Sequence, residues 1–132
     1  MLRLDAAELY WVVTTRRDGR PHAVPIGGVW FDDQLWLNTS PETILSRTLT
    51  RQNQALVHLE SGSEVLIVEV RATRVPTSEL PQEVVSLTQT KSGDGWDPDP
   101  EPPWAWFSLS PVTAMTWSYT DIRNTAVRYD FD

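Results

Sequence analysis

The segment GRPHAVPIGGVWFDDQLWLNTS, residues 19–40, is the most informative part of the chain about its fold. Two apolar runs, His22–Phe31 and Leu35–Thr39, flank the polar stretch Asp32-Asp33-Gln34, whose length is one that β-hairpins prefer. In a strand, alternate side chains share a face. One face of the first run carries His22, Val24, Ile26, Gly28 and Trp30, and the other carries Ala23, Pro25, Gly27, Val29 and Phe31. The segment therefore predicts an antiparallel hairpin.

Three residues of the first run are unusual for a central strand. Pro25 cannot donate a ladder hydrogen bond, and Gly27 and Gly28 have no side chains to pack. Such residues indicate a bend, a bulge, or a backbone that a ligand approaches closely. The simpler alternative is a barrel corner without a ligand, and these residues alone favour that alternative.

The second run leads into TSPE, a sequence typical of a helix start. It predicts a helix over Pro41–Arg51, with Thr39 or Ser40 as its N-cap. Hydroxyl groups beside unpaired backbone N–H groups, with Arg47 one turn further along, can hold an anion such as a phosphate. An ordinary capped helix with a surface arginine is the alternative, and the motif alone favours it.

The remaining pattern is mainly β. Apolar and β-branched runs predict strands over Tyr10–Thr15, Ala55–Glu60, Glu64–Val75, Trp104–Ser110 and Val112–Tyr119. The order of elements predicts a mainly β (α+β) fold, an antiparallel barrel or sandwich with short helices at its ends. Asp18-Gly19 has the signature of a type I′ turn.

Helices and loops fill the rest of the pattern. Short helices are predicted over Leu2–Leu9 and Glu79–Thr90, the second with Leu80, Val84 and Leu87 as its buried stripe. Residues 91–103 are rich in Pro, Gly and Asp and predict an irregular loop, either a flexible linker or a lid over a site. Residues 121–132 show no strong pattern.

Composition bounds the function. A chain of 132 residues predicts one domain, residues 1–132, and seven tryptophans indicate large aromatic contacts in a core, pocket or interface. Without cysteine there is neither a disulfide nor a thiolate metal site, and His22 and His58 lack the spaced partners that a zinc site needs. The net charge of −7 argues against nucleic-acid binding. No apolar run is long enough to cross a membrane, so a cytoplasmic location is expected.

Two runs of sequence carry a family resemblance. They are YWVVTTRRDGRPHAVPIGGVWFDDQLWLNTSPET, residues 10–43, and ALVHLESGSEVLIVEVRATRV, residues 55–75. Together they resemble the pyridoxamine 5′-phosphate oxidase-like split-barrel family, within it the flavin/deazaflavin oxidoreductase group. The resemblance implies a six- to seven-stranded antiparallel split β-barrel with short flanking helices. It also implies a homodimer with a cofactor, FMN or the deazaflavin coenzyme F420, in a cleft between the subunits.

The resemblance also implies where the cofactor lies. Its ring would lie against the backbone of the strand around Val24–Trp30, its phosphate at the helix start, and tryptophans would form the apolar walls. The cofactor-binding residues expected on this basis are Pro25, Ile26, Gly27, Gly28, Trp30, Thr39, Ser40, Arg47, Trp104 and Trp106. The function implied is hydride transfer between the cofactor and a small organic substrate, with no catalytic residue identified.

The chain departs from the family at the phosphate end. Relatives usually carry a pattern like R-x-K-x-R-N-L, where this chain has TILSRTL, residues 43–49. Two basic positions are thus Thr43 and Leu45, the Asn is Thr48, and of the basic residues only Arg47 is kept. Losing charge-assisted phosphate contacts weakens binding. The alternative function is therefore a non-catalytic split-barrel binding protein that has lost the phosphate clamp.

Overall fold

The computed structural model describes residue 4 and residues 6–131. Of the helix predicted over Leu2–Leu9, residues 2, 3 and 5 lie outside the described residues, Leu4 and Ala6 are helical, and Leu9 belongs to the first strand. In this part of the chain the strands are β1 (Leu9–Thr15), β2 (Pro21–Phe31), β3 (Gln34–Thr39), β4 (Gln54–His58), β5 (Glu64–Val75), β6 (Ala105–Ser118) and β7 (Val127–Asp130). The α-helices are α1 (Ile44–Arg51), α2 (Gln82–Ser92) and α3 (Ile122–Thr125).

Six of the strands close into an antiparallel barrel. Hydrogen bonds join them in the order β3-β2-β1-β4-β5-β6, and β6 pairs back with β3 from Leu35↔Leu109 to Thr39↔Ala105. The seventh strand, β7, pairs with β6 beyond the end of β3. The predicted fold, a six- to seven-stranded antiparallel barrel with short flanking helices, is confirmed.

The β2–β3 hairpin forms as its sequence predicts. Asp32 and Asp33 both have positive φ (54° and 58°), which is the geometry of a two-residue type I′ turn. Phe31 pairs with Gln34, so Gln34 belongs to β3 rather than to the turn. The predicted alternation also holds, because Val24, Ile26 and Trp30 pack against the barrel core.

The first hairpin turn differs from its prediction. The Gly19 N–H donates to Arg16 O (2.9 Å) and the Arg16 N–H donates to Arg20 O (2.8 Å). Among the four turn residues, only Gly19 has positive φ (87°). The turn is therefore a type I turn followed by a left-handed glycine, not type I′.

Pro111 does not divide the last predicted strand. The runs Trp104–Ser110 and Val112–Tyr119 form one strand, β6, and the register against β5 shifts between Glu69 and Val70, opposite Pro111. A bulge tolerates a residue without an N–H donor, which is why the proline fits. The Phe131 N–H donates to the Val112 carbonyl at this point (2.9 Å), next to β7, a strand that the sequence pattern did not predict.

The helices predicted from Pro41 and from Glu79 both begin three residues later, at Ile44 and Gln82. The helix predicted from Pro41 begins at Ile44, because Thr43 is the N-cap and its hydroxyl accepts from the Ser46 N–H (3.1 Å). In α2, Val84 is buried, but Leu87 is 41% exposed and Thr88 is buried in its place. The Thr88 hydroxyl donates to the Val84 carbonyl (2.8 Å), which satisfies this polar group without solvent.

Candidate functional site

A cleft of about 1100 Å³ lies on the outer face of the barrel. Strands β2 and β3 and the start of β6 form its floor, and α2 with the loop after it covers one side. The start of α1 closes the other end. A cavity of this size lies just above the usual range of about 300–1,000 Å³ for small-molecule and cofactor sites, so it has room for a cofactor.

The floor of the cleft is built by strand register. Asn38 lies opposite Trp106 across the β3–β6 ladder, and Val29 lies opposite Trp36 across the β2–β3 ladder. The Asn38 Nδ2 and Trp106 Nε1 atoms are buried and have no hydrogen-bond partner among the described residues. Leaving a buried donor unpaired costs about 1–3 kcal/mol.

The two adjacent glycines of β2 have different roles. A Cβ atom on Gly28 would lie 3.0 Å from the Trp36 carbonyl oxygen and 3.1 Å from a Leu35 side-chain carbon. A Cβ atom on Gly27 would meet no protein atom within 4 Å, and Gly27 lines the cleft. Barrel packing therefore requires the glycine at position 28, whereas at position 27 the bare backbone faces open space.

Three tryptophans, Trp96, Trp104 and Trp106, form the apolar side of the cleft and are called here the tryptophan wall. The Trp96 ring meets the Trp106 ring edge-on, with centroids 6.3 Å apart. The Trp104 Nε1 donates to the Asp97 carbonyl (2.7 Å), which ties the loop to the start of β6. The loop at residues 93–103 thus packs against the barrel through Trp96, and its first two predicted residues belong to α2.

Lys91 is a cleft residue that the sequence reasoning missed. Its Nζ donates to the Gly28 and Ala7 carbonyls and lies 5.0 Å from the centroid of the Tyr10 ring. Burial lowers the pKa of the Lys91 ammonium, and the charge of Glu8 partly opposes that effect. Sequence spacing could have identified Lys91 as a residue that faces the barrel, because it lies seven residues after the buried Val84 and so shares its face of α2.

The opposite end of the cleft is polar and lies at the start of α1. Ser40, Thr43 and Arg47 line it. The Thr43 hydroxyl is engaged as the helix cap and also donates to the Ser40 carbonyl (3.0 Å). The amides of Ile44 and Leu45 have no acceptor within the helix because of their position, and both residues line the cleft. This arrangement can accept an anionic group.

The structure brings together nine of the ten expected cofactor-binding residues around the cleft. They are Pro25, Ile26, Gly27, Gly28, Thr39, Ser40, Arg47, Trp104 and Trp106. Trp30 does not line the cleft and packs against the barrel core instead. Strand alternation does not account for this, since Val24, Ile26 and Gly28 share its face of β2 and line the cleft.

The described residues contain neither a metal-binding cluster nor a membrane-spanning helix. No group of three His, Cys, Asp or Glu side chains within that part of the chain could hold a metal ion. No helix there is long and apolar enough to cross a membrane.

Comparisons with known proteins link the chain to other structures and to no close relative. No protein-family model and no curated sequence matches it. The F420 reductase structure is 16% identical over 84% of this chain and 91% of that one (TM-score 0.68). PhzG from Burkholderia lata, solved with tetrahydrophenazine-1-carboxylic acid, is 17% identical over 99% and 80% (TM-score 0.68).

A heme-related structure shares the same fold. HutZ, the heme storage protein from Vibrio cholerae, is 17% identical over 80% of this chain and 82% of that one (TM-score 0.62). These structural matches cover 80–99% of the chain, although their identities are low. The chain therefore has the split-barrel fold of the pyridoxamine 5′-phosphate oxidase-like proteins, as the resemblance of its sequence predicted.

Proposed function

We propose that this protein binds a flavin-type cofactor, FMN or the deazaflavin coenzyme F420, in the cleft and acts as an oxidoreductase on a small organic substrate. The observation that carries the proposal is the floor of the cleft. A strip of bare backbone at Gly27 faces open space in a cleft that the tryptophan wall also lines. A flat ring suits such a cleft, since it needs close backbone approach and apolar surface.

The residues around the floor suit the other parts of such a cofactor. The tryptophan wall offers apolar surface to a ring, and the start of α1 offers two free amides and Arg47 to a phosphate. The neighbouring structures support this choice of ligand, since one of them is an F420 reductase.

When bound, the cofactor supplies the hydride chemistry. The chain's own residues position the ring and exclude water. Trp96 and Trp104 bring apolar surface from the loop and the start of β6. Lys91 places a positive charge against the Gly28 carbonyl, at the backbone that the ring would contact. A cation at this place favours negative charge on a ligand.

The test compares two glycines with equal space around them. In Gly27→Ala, an added methyl group would occupy the floor without touching protein, so the fold should be kept while the affinity for FMN and F420 falls about tenfold or more, as close approach is lost. Gly62→Ala is the matched control, because Gly62 also has no atom within 4 Å and lies outside the cleft. Absorption spectra and fluorescence titration would give the affinities. Equal affinities in the two variants would contradict ring binding on this floor.

Gly28→Ala tests whether barrel packing requires a glycine at position 28. Its added carbon would press on the backbone oxygen of Trp36, so the fold should lose about 1–3 kcal/mol. Urea unfolding measures that loss directly. An unchanged stability would show that the barrel does not require the glycine.

The alternative function, a non-catalytic split-barrel binding protein, is supported by the phosphate end. Leu45 stands at one of the family's basic positions and is 3% exposed, so a lysine cannot replace it without opening the core. The two functions differ in turnover. A protein that binds reduced cofactor tightly yet does not oxidise it with any of a panel of small enones, quinones or nitro compounds would favour the non-catalytic one.

We further propose that the protein is a homodimer whose second subunit covers the open side of the cleft. Large apolar side chains are exposed on the described surface, and Leu9, 59% exposed, lies in the cleft itself. Light scattering at micromolar concentration checks the assembly. A monomer would leave the cleft open to water and would remove the support for a closed reaction site.

A further inference from the structure

Four arginines from two separate parts of the chain line one pocket beside the cleft. Arg16 and Arg17 come from the β1–β2 turn, and Arg47 and Arg51 come from α1. The pocket, called here the arginine pocket, has a volume of about 370 Å³. Ile44 and Arg47 line both this pocket and the cleft, so the two spaces are neighbours.

None of these four guanidinium groups pairs with a carboxylate in the described part of the chain. The ion pairs found there join Arg20 to Asp18 (2.8 Å) and Arg128 to Asp130 (3.0 Å). Among the described residues, no acidic side chain lines the arginine pocket. The Asp18 carboxylate, which pairs with Arg20, also acts electrostatically on Arg16. Like charges held close together repel one another, so the excess of positive charge that remains suits an anionic occupant.

Hydrogen bonds hold the arginine pocket in place. The Arg51 Nη2 donates to the Thr15 carbonyl (3.0 Å), which ties the end of α1 to the end of β1. Backbone hydrogen bonds between Arg16, Gly19 and Arg20 close the turn that carries Arg16 and Arg17. The Arg16 Nε is buried and has no acceptor among the described residues.

We infer that the arginine pocket binds an anionic tail with two or more negative charges, phosphate or carboxylate, on a ligand whose ring occupies the neighbouring cleft. The part of this inference that places the ring of the same ligand in the cleft rests on the proposed function. In this pocket, Arg16 and Arg17 from the β1–β2 turn supply positive charge beside α1, where the segment TILSRTL (residues 43–49) lacks two of the family's basic residues. Such a pocket also favours a deazaflavin coenzyme, whose tail continues past its phosphate into carboxylates, over FMN, which ends at a phosphate.

The experiment measures binding of three probes by calorimetry: inorganic pyrophosphate, FMN and F420. Arg17→Gln should weaken pyrophosphate and F420 binding by about three- to tenfold, because a charge-assisted contact is lost, and should affect FMN less. The double variant Arg17→Gln/Arg51→Gln should weaken both further. Added salt should weaken pyrophosphate binding, since the pocket is open to solvent.

Arg20→Gln is the matched control. Arg20 lies on the same turn and carries the same charge, but it pairs with Asp18 and does not line the arginine pocket. Its pyrophosphate affinity should stay within about twofold of the wild type, as expected for an exposed ion pair. Equal losses of pyrophosphate affinity in Arg17→Gln and Arg20→Gln would show that only the overall charge of the protein matters, and would overturn the inference. Thermal unfolding confirms that each variant folds.

The probes separate the two proposals. If the wild type binds pyrophosphate and the arginine variants lose it, while FMN and F420 both fail to bind, the anion site stands and the cofactor proposal fails. If FMN and F420 bind with equal affinity in wild type and Arg17→Gln, the cofactor proposal stands and the arginine pocket is not the tail site. Absence of pyrophosphate binding in the wild type would overturn the inference outright.

Discussion

The apolar end of the cleft and the arginine pocket beside it are built in opposite ways. At the apolar end, Trp106 is 1% exposed and packs with Trp36, Val29 and Val84, so the ligand surface is also part of the folded core. In the arginine pocket, Arg17, Arg47 and Arg51 are exposed and come from two separate elements. Changes at the apolar end should therefore alter binding and stability together, whereas a change at the exposed Arg17 should alter binding alone.

The largest expected effect is at the apolar end. Trp106→Ala should lower the free energy of unfolding by about 3–5 kcal/mol, because a fully buried indole leaves a large cavity. Trp104→Ala is the comparison, since Trp104 is only half-buried and should cost clearly less. Urea unfolding followed by circular dichroism measures both. Equal losses would contradict the view that Trp106 belongs to the core.

A smaller effect separates the helix cap from the rest of the polar end. Thr43→Ala should cost about 1 kcal/mol, because the hydroxyl that accepts from the Ser46 N–H is lost. Ser40→Ala should cost less than about 0.5 kcal/mol, since Ser40 is not the cap. Thermal unfolding would distinguish the two. A larger loss of stability in Ser40→Ala than in Thr43→Ala would indicate that Ser40 is the N-cap, one of the two positions that the sequence predicted.

The smallest effect is the pH dependence of stability at Lys91. Burial lowers its pKa in the folded state from the usual 10.5, so the unfolded state binds more protons in the window just below that value. The contribution of Lys91 therefore becomes less unfavourable as the pH rises through that window. Lys91→Met should lose this rise. Urea midpoints measured at several alkaline pH values for both proteins check it, and parallel curves would contradict a lowered pKa.

The hairpin and the long strands followed from sequence alone. Alternation in residues 22–31 and 64–75 assigned each side chain to a face, because a strand has a period of two whatever it packs against. Asp32-Asp33 fixed the turn through local backbone preference. Nine of the ten expected site residues meet at one cleft, since they lie on that hairpin, at the helix start that follows it, or on the strand that pairs with it.

Tertiary contacts decided the rest. The sequence could not show that Pro111 would continue a strand, because the bulge that accepts it is formed with β5. Lys91 reaches the Gly28 carbonyl across 63 residues of sequence, and Arg16 and Arg17 meet α1 only when the barrel has closed. Local pattern determines periodicity and turns, whereas the meeting of distant charges depends on strand register and barrel closure. The sequence thus determined the barrel and the position of the cleft, and the tertiary structure alone decided which cations stand beside it.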